Sequence, residues 1–260
     1  MNKKYEFTGE IKTWFGRTLY QIRATVKFGT VENGELGGWI EKEENLSQDG
    51  NAWVCDNAQV YGDAQVCDTA LVCDNAQVCG DAQVCDNALV CDNAQVCGDA
   101  QVCDNARVCD NARVYGDALV CDNARVYGDA QVCGDALVCG DALVCDNARV
   151  YGDALVCDNA QVCGDAQVCD NARVCDNAQV CGQTHWLCTG PIGSRDDFTT
   201  FFRAKGAKIY VKCGCFRGDI DAFALKIQAT HGDGIHAKAY MAAIELAKAR
   251  IDLSGEDSEE

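Results

Sequence analysis

The sequence predicts an all-β solenoid with three short parallel strands per coil, a β-rich cap before it and a small α+β domain after it. Three observations carry that prediction. A six-residue unit runs from Cys55 to Val180 without interruption. Inside each unit an alanine and a valine lie two residues apart, next to a turn-forming pair. The type of that pair recurs along the chain every 18 residues.

Residues 1–48 precede the repeats. Thr18 to Val26 alternates in polarity, the period of a half-buried strand. Phe7, Trp14, Phe15, Phe28 and Trp39 give the segment its own apolar mass. An open solenoid leaves unpaired backbone at its ends and invites end-to-end association, so a cap is expected here.

Residues 49–182 are the repeats. From Cys55 to Val180 there are 21 hexads of the form (Cys/Tyr)-(Asp/Gly)-(Asn/Asp)-Ala-(Gln/Leu/Arg)-Val, with Thr69 as the one exception at the third position. The hexad Asp49–Val54 leads in, with Trp53 in the variable slot, and the pattern fails at Gln183. Six residues do not fit a helical period, but they fit a short strand and a corner. Residues two apart share one face of a strand, so Ala and Val point inward together and the residue between them points out. Asp-Asn or Gly-Asp supplies the corner, because Gly, Asn and Asp tolerate left-handed backbone. Gly-Asp pairs begin at Gly62, Gly80, Gly98, Gly116, Gly134 and Gly152, each 18 residues after the last. Three hexads per coil follow.

Residues 183–253 change character. Lys208 to Cys213 reads as a strand. Asp219 or Asp221 is placed to cap a helix through Ala229 that stops near Gly232. A second helix, from about Ile235 to Ile251, sets Tyr240, Ile244, Ala247 and Ile251 on one face. The last residues, 254–260, form an acidic tail expected to be disordered.

The stretch AQVCGDAQV, from Ala76 to Val84, resembles the hexapeptide repeat of left-handed parallel β-helices. GELGGWIEKEENLS (Gly34 to Ser47), GPIGSRDDFTTFF (Gly190 to Phe202) and CGCFRG (Cys213 to Gly218) resemble segments of prophage-type hexapeptide-repeat proteins of gut bacteria. With the repeats, that resemblance covers nearly the whole chain. It implies the left hand of the solenoid and attaches no activity to it. The best-known enzymes of this fold are acyltransferases, which use a catalytic histidine, and zinc enzymes with three histidine ligands. Here the repeats hold no histidine and no insertion; His185, His231 and His236 all follow them. A non-enzymatic protein without a cofactor is expected, with hexapeptide-type acyl transfer ranked third among functions. Cys181, His185, Cys188, Cys213 and Cys215 are too loosely spaced to read as a zinc set. The TGPIGSR loop lacks the lysine of a phosphate-binding loop.

Two surface features remain. Cys67, Cys85, Cys103, Cys121, Cys139, Cys157 and Cys175 fall on one 18-residue column, at the position that follows the valine of a hexad. Tyr61, Tyr115, Tyr127 and Tyr151 share this position, which points it outward, since an Ala/Val core cannot hold a phenol. The column is either an amphipathic filler or a thiol ladder for soft-metal or redox chemistry. The filler reading stands first. With 21 cysteines, no apolar leader at MNKKYEF and regular spacing, the chain reads as a cytoplasmic protein with mostly free thiols.

Charge is the second feature. The chain of 260 residues carries a net −18, which argues against direct nucleic-acid or acidic-membrane binding. The 21 hexads bring one aspartate each against five arginines, a net −16. Coils rising roughly 4.8 Å apiece give a charge density similar to that of duplex DNA, about one per 1.7 Å. The leading functional expectation is a rigid structural or protein-binding solenoid, a DNA-like decoy for a basic or nucleic-acid-binding protein. Asp63, Asp81, Asp99, Asp117, Asp135 and Asp153 form its candidate edge. Self-association through the ends is a further expectation. The bland alternative is that Asp serves as a corner residue and a solubility device.

Overall fold

The computed structural model describes residues 3–254, so the tail expected at 254–260 lies, past Ser254, outside the described residues. The chain divides into two compact units, one ending at Asp135 and the other starting at Ala136.

In the first unit β1 (Tyr5–Trp14) and β2 (Arg17–Ala24) form an antiparallel hairpin, and β2 pairs antiparallel with β3 (Leu36–Ile40). β3 then pairs in parallel with Gln59–Val60, matching Ile40 to Val60. The cap thus lends its last strand to the solenoid and covers what would be an open edge.

Each hexad contributes a two-residue strand made of the variable residue and the valine. Gln77–Val78 pairs with Gln59–Val60 and Gln95–Val96, Leu89–Val90 with Leu71–Val72 and Arg107–Val108, and Gln101–Val102 with Gln83–Val84 and Leu119–Val120. All partners are parallel and 18 residues apart. The three series lie in three separate sheets, so a coil takes three hexads. Coil-to-coil backbone bonds are regular: the Cys73 N–H donates to Val90 O at 3.0 Å and the Gln77 N–H to Ala94 O at 2.9 Å. Every repeat alanine and valine is at most 1% exposed.

The corners show why the pairs are Asp-Asn or Gly-Asp. Within a hexad the Ala76 N–H closes a turn onto Cys73 O at 3.1 Å. The first member of the pair takes the left-handed backbone: φ is 58° at Asp74 and Asp92, and 73° at Gly80 and Gly98. The second member, Asn or Asp, does not. Glycine is required where its column is already close-packed, since a Cβ on Gly80 would sit 2.9 Å from the backbone of Gly98.

Two expectations about the cap are corrected. Phe15 is 82% exposed, and Phe7, Trp14, Phe28 and Trp39 are only half-buried. The buried set is instead Tyr5, Leu19, Ile22, Ile40 and Leu46, joined by Trp53. Trp53 occupies an outward slot yet is 2% exposed. Tyr5 and Phe28 meet its ring edge-on at 6.5 and 5.4 Å, and Gly37 leaves room for it, as a Cβ there would lie 2.6 Å from the indole. Lys4 is drawn in beside it. Its ammonium donates to Ala52 O at 3.0 Å, and burial lowers its pKa to about 8 against the opposing pull of Asp49.

In the second unit the same rungs continue, Leu137–Val138 pairing with Leu155–Val156 and Gln161–Val162 with Gln179–Val180. An antiparallel sheet follows, in the order β4 (Trp186–Ile192), β5 (Asp197–Ala204), β6 (Lys208–Cys213) and β7 (Phe216–Asp219). β5 lies over the last coil: Ala178 and Ala204 form a bridge, and the Arg173 N–H donates to Thr200 Oγ1 at 2.9 Å. Two helices pack on the sheet, α1 (Ile220–His231) and α2 (Ile235–Arg250). The Asp219 carboxylate caps α1 by accepting from the Ala222 N–H at 2.7 Å, and Gly232 ends it at φ 52°. Tyr240, Ile244, Ala247 and Ile251 turn into the core with Phe201 and Phe223, as their spacing requires. No described helix is long and apolar enough to cross a membrane.

Candidate functional site

The aspartates are of two kinds, which the repeat formula does not separate. In Asp-Asn corners the carboxylate is bound into the scaffold. The Asp92 N–H donates to the Asp74 carboxylate at 3.2 Å, the Asp110 N–H to Asp92 at 3.2 Å and the Gly128 N–H to Asp110 at 3.0 Å. The second unit repeats this, with the Gly164 N–H on Asp146 at 3.0 Å and the Asp176 N–H on Asp158 at 3.2 Å. Charge-assisted bonds of this type are among the stronger ones. The asparagines beside them form an amide ladder, Asn87 Nδ2 donating to Asn105 Oδ1 at 3.3 Å and Asn105 Nδ2 to Asn123 Oδ1 at 3.2 Å.

In Gly-Asp corners the aspartate is one place later and exposed. The first unit brings Asp63, Asp81, Asp99, Asp117 and Asp135 onto successive coils, above the stacked backbone of Gly62, Gly80, Gly98, Gly116 and Gly134. Asp153 has the same exposed place in the second unit. Asp63 is engaged by Lys42, whose ammonium donates to it at 2.5 Å and holds its pKa down. Among the described residues no cation pairs with Asp81, Asp99, Asp117, Asp135 or Asp153.

The thiols line the corners just before these pairs. Cys67, Cys85, Cys103 and Cys121 are partly buried in the first unit, and Cys139 is in the second. Cys157 and Cys175 correct the outward expectation, being 7% and 1% exposed. Arg217 of β7 reaches this edge and pairs with Asp158 at 3.1 Å and Asp176 at 3.4 Å. Burial first, and the carboxylate beside each thiol second or next, push Cys67, Cys85 and Cys103 up to about 12. Three groups bring two sulfurs and one carboxylate within 4.8 Å of one another: Cys67–Asp68–Cys85, Cys91–Asp92–Cys109 and Cys157–Asp158–Cys175.

One thiol behaves oppositely. A hydrogen bond from Cys97 outweighs burial and, with Tyr61 and Arg17, pulls Cys79 down to about 6. No sequence signal marked it: Cys97 and Tyr61 sit one coil either side of it at the same repeat position, and Arg17 adds to them from the cap. Cys163 and Cys181, one coil apart, are joined as a disulfide, and the other 19 cysteines are thiols outside any disulfide. Cys181, His185, Cys188, Cys213 and Cys215 do not converge as metal ligands among the described residues. The Cys181 N–H instead fixes His185 Nδ1 at 3.1 Å, and Cys213 lies under Tyr240.

Comparison with known proteins fits this geometry. The model of the YdcK Beta solenoid repeat matches residues 82–98, overlapping stretches from 100 to 164, and residues 166–182. The protein named "Uncharacterized acetyltransferase YdcK" from Escherichia coli (strain K12) is 45% identical over 49 residues, 18% of this chain. That match spans 15% of the relative's length. With uninterrupted hexads, parallel rungs 18 residues apart and this repeat match, the chain is a hexapeptide-repeat parallel β-helix protein, similar to the YdcK solenoid repeat within residues 82–182.

Proposed function

We propose that the protein is a non-catalytic, rigid scaffold whose acidic edge docks a basic protein, in the manner of a decoy for a nucleic-acid-binding partner. One observation carries this reading. The Asp-Asn carboxylates accept from the next coil's backbone, whereas those of Asp81, Asp99, Asp117 and Asp135 stand one per coil and, among the described residues, without a cation. A row of like charges at roughly 4.8 Å spacing is self-repelling, so a partner that neutralises it gains both contact and relief. Charge of this kind steers association and makes it salt-sensitive. The test replaces Asp63, Asp81, Asp99, Asp117, Asp135 and Asp153 together by Asn. Wild type is expected to displace duplex DNA from a basic partner recovered from host extract, less so as salt rises, and the variant to compete poorly. Equal competition by both proteins, or none by wild type, removes the decoy reading.

The sulfur–carboxylate groups favour a second reading, soft-metal binding. Two thiolates and a carboxylate suit a thiophilic cation such as zinc, which sits about 2.3 Å from sulfur. Purified reduced protein is expected to take up zinc, and Cys91→Ser with Cys109→Ser to lower the stoichiometry. Unchanged uptake in that variant excludes the Cys91–Asp92–Cys109 group. Acyl transfer, the activity in the relative's name, ranks below both, since the repeats carry no histidine to act as base.

A further inference from the structure

The second unit contains a concave site whose charge is opposite to that of the chain. It lies between the turn joining β4 to β5, the turn joining β6 to β7, and the facing sides of α1 and α2. The cavity is about 190 Å³. Its floor and walls are apolar, with Phe216, Phe223, Ile227 and the Tyr240 ring. Phe216 and Phe223 lie 4.9 Å apart, and Phe223 meets Tyr240 edge-on at 5.6 Å. Arg195, Lys226 and His231 line the same space. Among the described residues none of these three is in an ion pair, whereas Arg17, Arg23, Lys42 and Arg217 all have carboxylate partners.

That convergence is unusual in a chain with 40 acidic and 22 basic residues. Arg195 and Lys226 bring two positive charges to one cavity whose lining contains no carboxylate. The two turns also hold the site in shape. Gly214, at φ +56°, lies against Arg195, and a Cβ there would sit 1.5 Å from Nη2. Gly193, at φ +78°, lies against the Tyr240 hydroxyl, where a Cβ would sit 1.9 Å away. Both positions demand glycine on backbone and steric grounds, and so fix the guanidinium and the phenol in place. Preformed cavities with an apolar lining and a few convergent polar groups are the usual form of small-molecule sites. At about 190 Å³ the space is below the roughly 300–1,000 Å³ usual for small-molecule pockets, which limits the ligand to a compact molecule.

We propose that this cavity binds a small organic anion, a carboxylate on a compact aromatic or branched apolar body. The acid faces Arg195, Lys226 and His231, and the body lies on Phe216, Phe223 and Tyr240. Arginine is suited to bidentate contact with a carboxylate, and the apolar floor selects against bare inorganic anions. Asp197 is the carboxylate felt at Tyr240, where Arg195 opposes it, and charges beyond about 8 Å are screened at physiological salt. This site is independent of the acidic edge.

The test uses benzoate with the full chain, followed by backbone amide shifts. Benzyl alcohol serves as the neutral near-isostere and inorganic phosphate as the bare anion. Benzoate is expected to bind saturably, shifting Gly193 to Arg195 and Gly214 to Cys215, at least tenfold more tightly than either comparison compound. Arg195→Gln with Lys226→Gln is expected to weaken it at least tenfold. Lys208→Gln with Lys238→Gln, which removes the same charge elsewhere, is expected to leave it unchanged. Both pairs are exposed in the fold. The proposal is overturned if benzoate shifts are scattered or absent, or if the alcohol or phosphate binds as well. Equal weakening by the two variant pairs overturns it too, since general charge then explains the binding.

Discussion

The solenoid rungs and the C-terminal domain bury comparable backbone by opposite means. A rung is closed by its own equivalent: Val96 pairs beside Val78 and Val114, and the residues inside are only alanine and valine. In the C-terminal domain no residue meets its copy. Phe201, Phe223, Tyr240 and Ile244 come from different elements and interlock by shape. The difference teaches where charge goes. Repetition forces like onto like, so an aspartate placed once is placed on every coil, and the repeats become either a bonded ladder or an exposed acidic row. Convergence of unlike elements brings Arg195, from the turn after β4, beside Lys226 and His231 of α1.

The largest expected effect tests the two cores. Val120→Asp puts an unpaired carboxylate into a position that is 0% exposed, and the neighbouring side chains, all small and apolar, offer it no partner. The repeats are expected to unfold, read as loss of the β signal in circular dichroism at 25 °C. Ile244→Ala is expected to cost about 2–5 kcal/mol, loosening the C-terminal core while the β signal survives. If Val120→Asp keeps the wild-type melting curve, the valine row does not face inward in solution.

A smaller effect separates the two aspartate rows. Asp74→Ala, Asp92→Ala and Asp110→Ala remove bonds to the next coil and place alanine at φ near 60°. Each is expected to cost about 1–2 kcal/mol. Asp81→Ala, Asp99→Ala and Asp117→Ala remove like charges from the exposed row, and stability is expected to hold or rise slightly. Urea titrations of the two triple variants decide it. Equal losses would erase the distinction on which the docking edge rests.

The smallest effect concerns pH. Cys67, Cys85 and Cys103 have folded-state pKa values near 12, above the ordinary thiol value of 9.0. The unfolded chain therefore loses these protons first, and the stability they contribute is complete below pH 9 and declines as pH rises toward about 12. Denaturant midpoints in reducing buffer are expected to fall over that window. Replacing the three by Ser is expected to flatten the fall. The same shift makes native alkylation slow at pH 8, against fast reaction of Cys79, whose pKa is near 6. Uniform labelling of all four would contradict it.

Much of this was legible because the determinants are local. The rung, the corner and the 18-residue coil follow from side-chain alternation and from the few residue types that accept left-handed backbone. Asp219 as a helix cap, Lys208–Cys213 as a strand and the Tyr240–Ile244–Ala247–Ile251 face follow from equally short-range rules. Trp53 was not legible. Its slot points outward in a bare coil, and only Gly37 and Tyr5, brought over it by the cap, bury it.

The sequence alone therefore determined the solenoid: a hexad carries its strand, its corner and its inward pair within six residues, and the copy 18 residues on supplies the partner. Tertiary structure decided what a residue type means at a given corner. It separated Asp74, bonded to the next coil, from Asp81, which has no cation partner among the described residues, buried Cys157 and Cys175 beside Arg217, and lowered Cys79 through Cys97 first and then Tyr61 and Arg17. It also assembled the cationic cavity. These outcomes depend on groups brought close in space from distant parts of the chain, and electrostatic and steric terms act over ångströms, not over sequence separation.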